Sequence, residues 1–103
     1  MSDLPKPPAT HDDFVEAFPE LARAWEVAGA AGKVGPLDEK TCRLIKLALA
    51  IGARQEGAVH ASVRKGLAMG ISREELHQVV ALAAGTVGFP QSVAAYTWIQ
   101  DLL

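Results

Sequence analysis

The sequence has a single cysteine, Cys42, among its 103 residues. One cysteine cannot form an internal disulfide, and it excludes a CxxC pair with the dithiol redox chemistry that depends on one. Long apolar runs are also missing. The longest apolar-rich stretch, residues 79–89, is shorter than the roughly 20 residues that a helix needs to cross a bilayer. We therefore expect no membrane-spanning segment.

Neither sign of charge dominates, since 10 basic and 12 acidic residues leave a net charge of -2. Without a basic stripe, nucleic acid is not an expected partner. The first residues, M-S-D-L-P-K-P-P, contain no apolar signal core, and residues 1–9 are predicted to be a disordered tail. These features favour a cytoplasmic location.

Apolar residues are abundant, at 50% of the chain, and the mean hydropathy is +0.14. This is high for a small domain, and it indicates that other subunits cover part of the apolar surface. A homo-oligomer is the expected state.

Capping residues, prolines and glycines divide the chain into helices, and no period-2 strand pattern appears. The signals, in chain order, are a Thr10/Asp13 capping box, Pro19 in a first turn, Asp38 as an N-cap, Gly70 as a left-handed helix end, a Ser72/Glu75 capping box, and Pro90 in a first turn. They predict an all-α antiparallel bundle of about six helices. Residues 10–103 are predicted to form a single domain.

Two segments carry a family resemblance. The run E-G-A-V-H-A-S-V-R-K-G-L-A-M-G-I-S-R-E-E-L-H-Q-V-V-A-L-A-A-G-T-V-G-F-P at residues 56–90, with L-D-E-K-T-C-R-L-I-K-L-A-L-A-I-G before it, resembles the carboxymuconolactone decarboxylase family, which includes the alkylhydroperoxidase D proteins. The resemblance extends from about Phe18 to the C-terminus. It implies an alkylhydroperoxidase D-like fold and assembly into a trimer or hexamer.

The resemblance also shows which positions would carry the family's chemistry. In the redox branch the site is C-x-x-C-x-x-x-H, with a glutamate twelve residues before the first cysteine. Counting back from the helix-ending glycine, these positions fall on Gln55, Ala58, Ser62 and Arg43. All four are replaced, so a peroxidase reaction of that kind is excluded. The glutamate and histidine of the decarboxylase branch, at Ala58 and Ser62, are replaced as well. A branch with an E-G-A-V-H-S-H-like run is the most similar.

Gln55 and Ser62 lie two turns apart on the helical face centred on Val59 and Val63. A buried polar pair needs hydrogen-bond partners, so the two side chains could form a small polar spot that binds a ligand. Alternatively, Ser62 bonds back to its own helix and Gln55 reaches solvent.

Glu56, His60 and Arg64 follow one another at intervals of four residues, at the edge of that face. His60 could act as a general base oriented by Glu56, or the two could share a metal ion. The pair supplies two ligands, whereas a catalytic zinc site takes three from the protein. His77 or His11 could complete the set, but the sequence does not place them there. The simpler alternative is a surface charge ladder, so we assign no metal and no cofactor.

Arg43 stands where the redox branch has an acid. It could bind the carboxylate of a substrate, or it could pair with Glu39 one turn earlier. Its neighbour Cys42 is expected to be an inert small apolar residue.

Two main hypotheses follow. In the first, the chain is a cofactor-free proton-transfer enzyme, a lyase of the decarboxylase or lactone type, acting on a small organic acid. His60 and Glu56 would be catalytic, and Gln55, Ser62 and Arg43 would bind the substrate. In the second, it is a catalytically inactive oligomeric binding or scaffold protein with the same fold. A third hypothesis, peroxidase activity through Cys42, has the weakest support.

Overall fold

The computed structural model describes residues 4–5 and 7–103. Six helices make up the described chain, and it contains no strand. They are α1 (Ala9–Ala17), α2 (Pro19–Ala31), α3 (Glu39–Gly52), α4 (Glu56–Ala68), α5 (Arg73–Val87) and α6 (Phe89–Gln100). The all-α prediction is therefore confirmed. The predicted disordered tail includes residues 1–3 and 6, which lie outside the described residues.

The helices fall into two compact units, one with α1 and α2 and the other with α3 to α6. Neither α1 nor α2 contains a buried residue. Their junction is marked by Phe14 and Phe18, whose ring centroids are 5.0 Å apart. Pro19 occupies the first turn of α2 as predicted, because a proline there loses no helical hydrogen bond.

The unit of α3 to α6 contains the hydrophobic core. Each of α3 and α6 packs against both α4 and α5, so the helices surround the core in the order α3, α4, α6, α5. The buried apolar residues are Leu47, Ala50, Ile51, Val59, Val63, Ile71, Leu76, Val79, Ala95 and Ile99. A core of this size is within the range expected for a small domain.

Three of the predicted helix boundaries are confirmed, two by side-chain hydrogen bonds and one by backbone conformation. Asp38 caps α3 by accepting the Thr41 backbone N–H at 2.8 Å, and the pKa of Asp38 is lowered first by the hydroxyl of Thr41 and then by this backbone bond. Ser72 and Glu75 form a reciprocal capping box at the start of α5, with distances of 3.1 and 2.9 Å. Gly70 has a φ of +87°, a left-handed conformation that favours glycine.

The predicted capping box at Thr10 is wrong. Pro8 is the N-cap of α1, and no side chain hydrogen-bonds to the first turn. Because the fixed φ of proline suits the extended conformation at this position, the helix begins at Ala9. Thr10 therefore lies inside the first turn.

A side chain of α6 closes the turn from α3 to α4. The Gln91 amide donates to the carbonyls of Ile51 and Gly52, and its Oε1 accepts from Arg54 Nε at 3.0 Å. Arg54 has a φ of +58°. Gln91 thus adds side-chain hydrogen bonds to carbonyls at the C-terminal end of α3, where helical carbonyls run out of intrahelical partners, and it ties α6 to the turn from α3 to α4.

One ion pair joins α3 to α5 at the surface of this unit. Lys40 of α3 pairs with Glu75 of α5, and the hydrogen bond from Lys40 is the largest cause of the lowered pKa of Glu75.

Within the described chain, no helix has the length and apolar character needed to span a bilayer.

The capping box gives a direct test of how α5 is held. We expect Ser72→Ala to lower the free energy of unfolding by about 1 kcal/mol, because the Glu75 backbone N–H loses its acceptor. Thr10→Ala is the control and should change stability by less than about 0.5 kcal/mol. Urea denaturation followed by circular dichroism measures both. Equal losses in the two variants would contradict the assignment.

Candidate functional site

The candidate site residues are organised by α4. Its buried face consists of Val59, Ser62, Val63 and Gly66. Val59 and Val63 are fully buried and Ser62 is 5% exposed. Because α3 packs along one edge of this face and α6 along the other, side chains at the two edges meet different helices. Four of the five predicted site residues therefore separate into two clusters, Arg43 with Ser62 and Glu56 with His60.

The first cluster lies between α3 and α4. Arg43 Nη1 donates to Ser62 Oγ at 3.5 Å, a long hydrogen bond between partly buried groups. A Cβ atom at Gly66 would lie 3.7 Å from Arg43 Cγ. The arginine side chain thus crosses α4 at a glycine and ends at a serine. We call this contact the Arg43–Ser62 pair.

Arg43, Lys46 and Lys65 bring positive charge to the same edge, and Arg64 adds to it from further around α4. The pKa of Lys65 is lowered, first by burial and then by repulsion from Arg43, Lys46 and Arg64. In residues 4–5 and 7–103, no ion pair involves any of these four cations, so the predicted pair of Arg43 with Glu39 does not form. An anion at this edge would relieve the repulsion.

The second cluster lies between α4 and the end of α6. His60 Nε2 is 3.1 Å from Asp101 Oδ2, and their side chains are 23% and 48% exposed. Glu56 lies one turn before His60 on α4. One ligand atom from each of the three side chains falls within 4.8 Å of the others. We call these three residues the Glu56–His60–Asp101 cluster.

The remaining sequence candidates lie outside both clusters. Gln55 is the exposed N-cap residue of α4, and its side chain makes no capping bond. His77 bonds to Gln100 Oε1 at 2.9 Å, between α5 and α6. His11 pairs with the adjacent Asp12. Cys42 is half-buried in α3.

Asp101 is the residue that the sequence analysis missed. It is 41 positions from His60, and it caps α6 instead of lying on a patterned helical face. No local motif connects these two positions. The contact requires α6 to pack on α4, which only the folded bundle shows.

An open groove of about 480 Å³ lies between α3 and α5. Its wall is mostly apolar, and it contains none of the five predicted site residues. The exposed fractions of Ile45 and Leu82, which both line it, are 42% and 66%. This face of the single chain therefore leaves apolar surface in contact with water.

Comparisons with known proteins agree with this architecture. Residues 19–101 match the model of the carboxymuconolactone decarboxylase family. Among solved structures, the chain is similar to the apo crystal structure of a carboxymuconolactone decarboxylase family protein from Legionella pneumophila. The two are 28% identical, the match covers 91% of this chain and 85% of the other, and the TM-score is 0.77. No curated protein matches the sequence.

The crossing of Arg43 over Gly66 predicts a size limit at that position. A side chain at Gly66 would meet Ile71 Cδ1 at 3.4 Å and Arg43 Cγ at 3.7 Å from its Cβ, whereas Gly57 has open space. We expect Gly66→Leu to cost about 1–3 kcal/mol through overpacking. Gly57→Leu is the matched control on the same helix and should not destabilise, since leucine is the better helix former. Thermal denaturation compares them, and equal effects would refute the crossing.

Proposed function

The chain belongs to the carboxymuconolactone decarboxylase family, and on that basis we propose that it binds a small organic acid through Arg43 without redox chemistry. The observation that supports this most directly is the Arg43–Ser62 pair. By resemblance, these two residues occupy the positions of the glutamate and histidine in the redox branch. Because Arg43 puts a positive charge where the redox branch has a negative one, the site suits a negatively charged ligand.

The chemistry of the α3–α4 edge supports a carboxylate in particular. A guanidinium group is planar and presents paired donors that match the two oxygens of a carboxylate. The bond to Ser62 is 3.5 Å long, so it uses little of the hydrogen-bonding capacity of Arg43. Lys46 and Lys65 add positive charge nearby. A bound acid would pair with Arg43 and reduce the repulsion among the cations.

A dithiol mechanism is excluded by the single cysteine. Thiolate chemistry of the redox branch would need cysteines at Gln55 and Ala58, and disulfide recycling would need both. Cys42 lies instead in α3, next to Arg43. Without the two cysteines, the site favours ligand binding, or a reaction that transfers only protons.

Between the two sequence hypotheses, the geometry favours the binding protein. Arg43 meets α4 on the side of α3, whereas His60 meets Asp101 on the side of α6. A small acid bound to Arg43 is therefore on the wrong side of the helix for His60 of the same subunit. The decarboxylase or lactone-type reaction, with His60 and Glu56 as the acid/base pair, stays a prediction.

We also infer that the protein is a homo-oligomer. The α3–α5 groove and the exposed Leu49, at 66%, leave apolar surface uncovered on the core unit. Another copy would remove that surface from water, at about 25 cal/mol per Å² of apolar area. A trimer or hexamer is the expected size, from the family resemblance.

Native mass spectrometry with added succinate tests the binding proposal. We expect an oligomer that retains the acid. Arg43→Gln should weaken retention roughly 10- to 100-fold, because a hydrogen bond to a charged group contributes about 1.5–3 kcal/mol. Arg73→Gln, a change at an exposed residue at the start of α5, is the control. Unchanged retention in Arg43→Gln would refute the role of Arg43, and a monomer would refute the oligomer.

The prediction for His60 needs a separate experiment, since it concerns the other edge of α4. If His60 is the acid/base, His60→Ala should abolish the turnover of an organic acid or lactone that the wild type converts, measured by carbon dioxide release or lactone consumption. His77→Ala is the control, because His77 bonds to Gln100 away from the cluster. Equal turnover in the wild type and His60→Ala would remove His60 from the mechanism.

A further inference from the structure

The Glu56–His60–Asp101 cluster combines one imidazole with two carboxylates. Their ligand atoms lie within 4.8 Å of one another, and His60 Nε2 and Asp101 Oδ2 are 3.1 Å apart. Glu56 and His60 come from adjacent turns of α4, and Asp101 follows the last turn of α6. The sequence alone left this set one ligand short. The fold supplies the third ligand.

The position of Asp101 is held by the core. Ala95 and Ile99 of α6 are fully buried, and α6 packs against α4. The burial of Ile99, two residues earlier, fixes the end of α6 beside the first turns of α4. The carboxylate therefore reaches His60 because of helix packing, and not because of a flexible loop.

We propose that these three side chains bind a divalent transition-metal cation of the zinc class. A catalytic-type zinc site uses three nitrogen or oxygen ligands from the protein and leaves a fourth position for water. Imidazole favours zinc, copper, iron and nickel over magnesium and calcium. One histidine and two carboxylates fit this description, and Cys42 is not needed.

The distances require only small side-chain movements. With bond lengths of about 2.0–2.2 Å, a tetrahedral zinc ion holds neighbouring ligand atoms roughly 3.3–3.6 Å apart. His60 and Asp101 are already at 3.1 Å, and the widest separation in the cluster is at most 4.8 Å. Glu56 and Asp101 are exposed. Side-chain rotation can therefore move their carboxylate oxygens by about 1 Å without disturbing the core.

The local charge also favours a cation. With a neutral His60, the two carboxylates give the cluster a charge of -2, and its ion pair among the described residues is the one between His60 and Asp101. Asp101 is at the C-terminal end of α6, where the helix dipole attracts positive charge. Arg64, half-buried one turn after His60, is the neighbouring cation on α4. A divalent ion would neutralise the two carboxylates.

This site is independent of the Arg43–Ser62 pair, which lies at the other edge of α4. It does compete with proton transfer at His60, because the Nε2 lone pair holds either a metal ion or a proton. The metal-bound protein is therefore expected to lack His60 acid/base activity. Zinc binding and succinate binding can succeed or fail separately.

Calorimetric titration of the chelator-treated full chain with zinc chloride tests the proposal. The wild type should bind one zinc per chain and show a higher melting temperature when saturated. His60→Ala and Asp101→Ala should each lower the affinity by at least 10-fold. His77→Ala is the matched control among the three histidines, and it should bind zinc as the wild type does.

Cobalt(II) gives a second readout that reports coordination directly. The wild type should develop the visible absorption of a low-coordinate cobalt centre, and His60→Ala should not. The proposal is overturned if the wild type binds no zinc, or if His60→Ala binds it as tightly as the wild type. It is also overturned if His77→Ala loses as much affinity as His60→Ala. None of these results would affect succinate retention, which tests Arg43.

Discussion

The burial of one face of α4 is the constraint on which the rest of the core unit depends. Val59 and Val63 are fully buried, and together they fix the rotation of the helix about its axis. Once that rotation is set, Ser62 must face α3 and His60 must face α6. The contacts Arg43–Ser62 and His60–Asp101 follow from the packing of two valines. Polar residues at the helix edges are thus positioned by apolar residues between them.

The sequence predicts those features that depend on neighbouring residues. Asp38, Ser72 with Glu75, and Gly70 act within one turn of chain, and all were confirmed. The capping box at Thr10 was wrong because Pro8 provides a competing start to the helix. A capping motif predicts a boundary only where no stronger local signal lies beside it.

The candidate site could be predicted only in part. Arg43 and Ser62 were identified through the family resemblance, but their direct contact spans 19 positions. Asp101 lies 41 positions from His60 and had no pattern to indicate it. Periodicity predicted that Gln55 would share the buried face of α4 with Val59 and Val63. In the structure it is the exposed N-cap residue, where the regular 100° spacing of the helix no longer applies. Periodicity locates a side chain around a helix, whereas the packing of helices decides what that side chain meets.

The separation of the two clusters limits what one subunit can do. A helix with its side chains is about 10–12 Å across, so a small acid bound at one edge does not contact the other. The protein therefore presents two chemically different edges: cations with a hydroxyl beside α3, and carboxylates with an imidazole beside α6. Anions and cations would bind at opposite edges. Family membership alone, which rests on the shared fold and residues 19–101, does not distinguish the roles of the two edges, because function belongs to the side chains at each site.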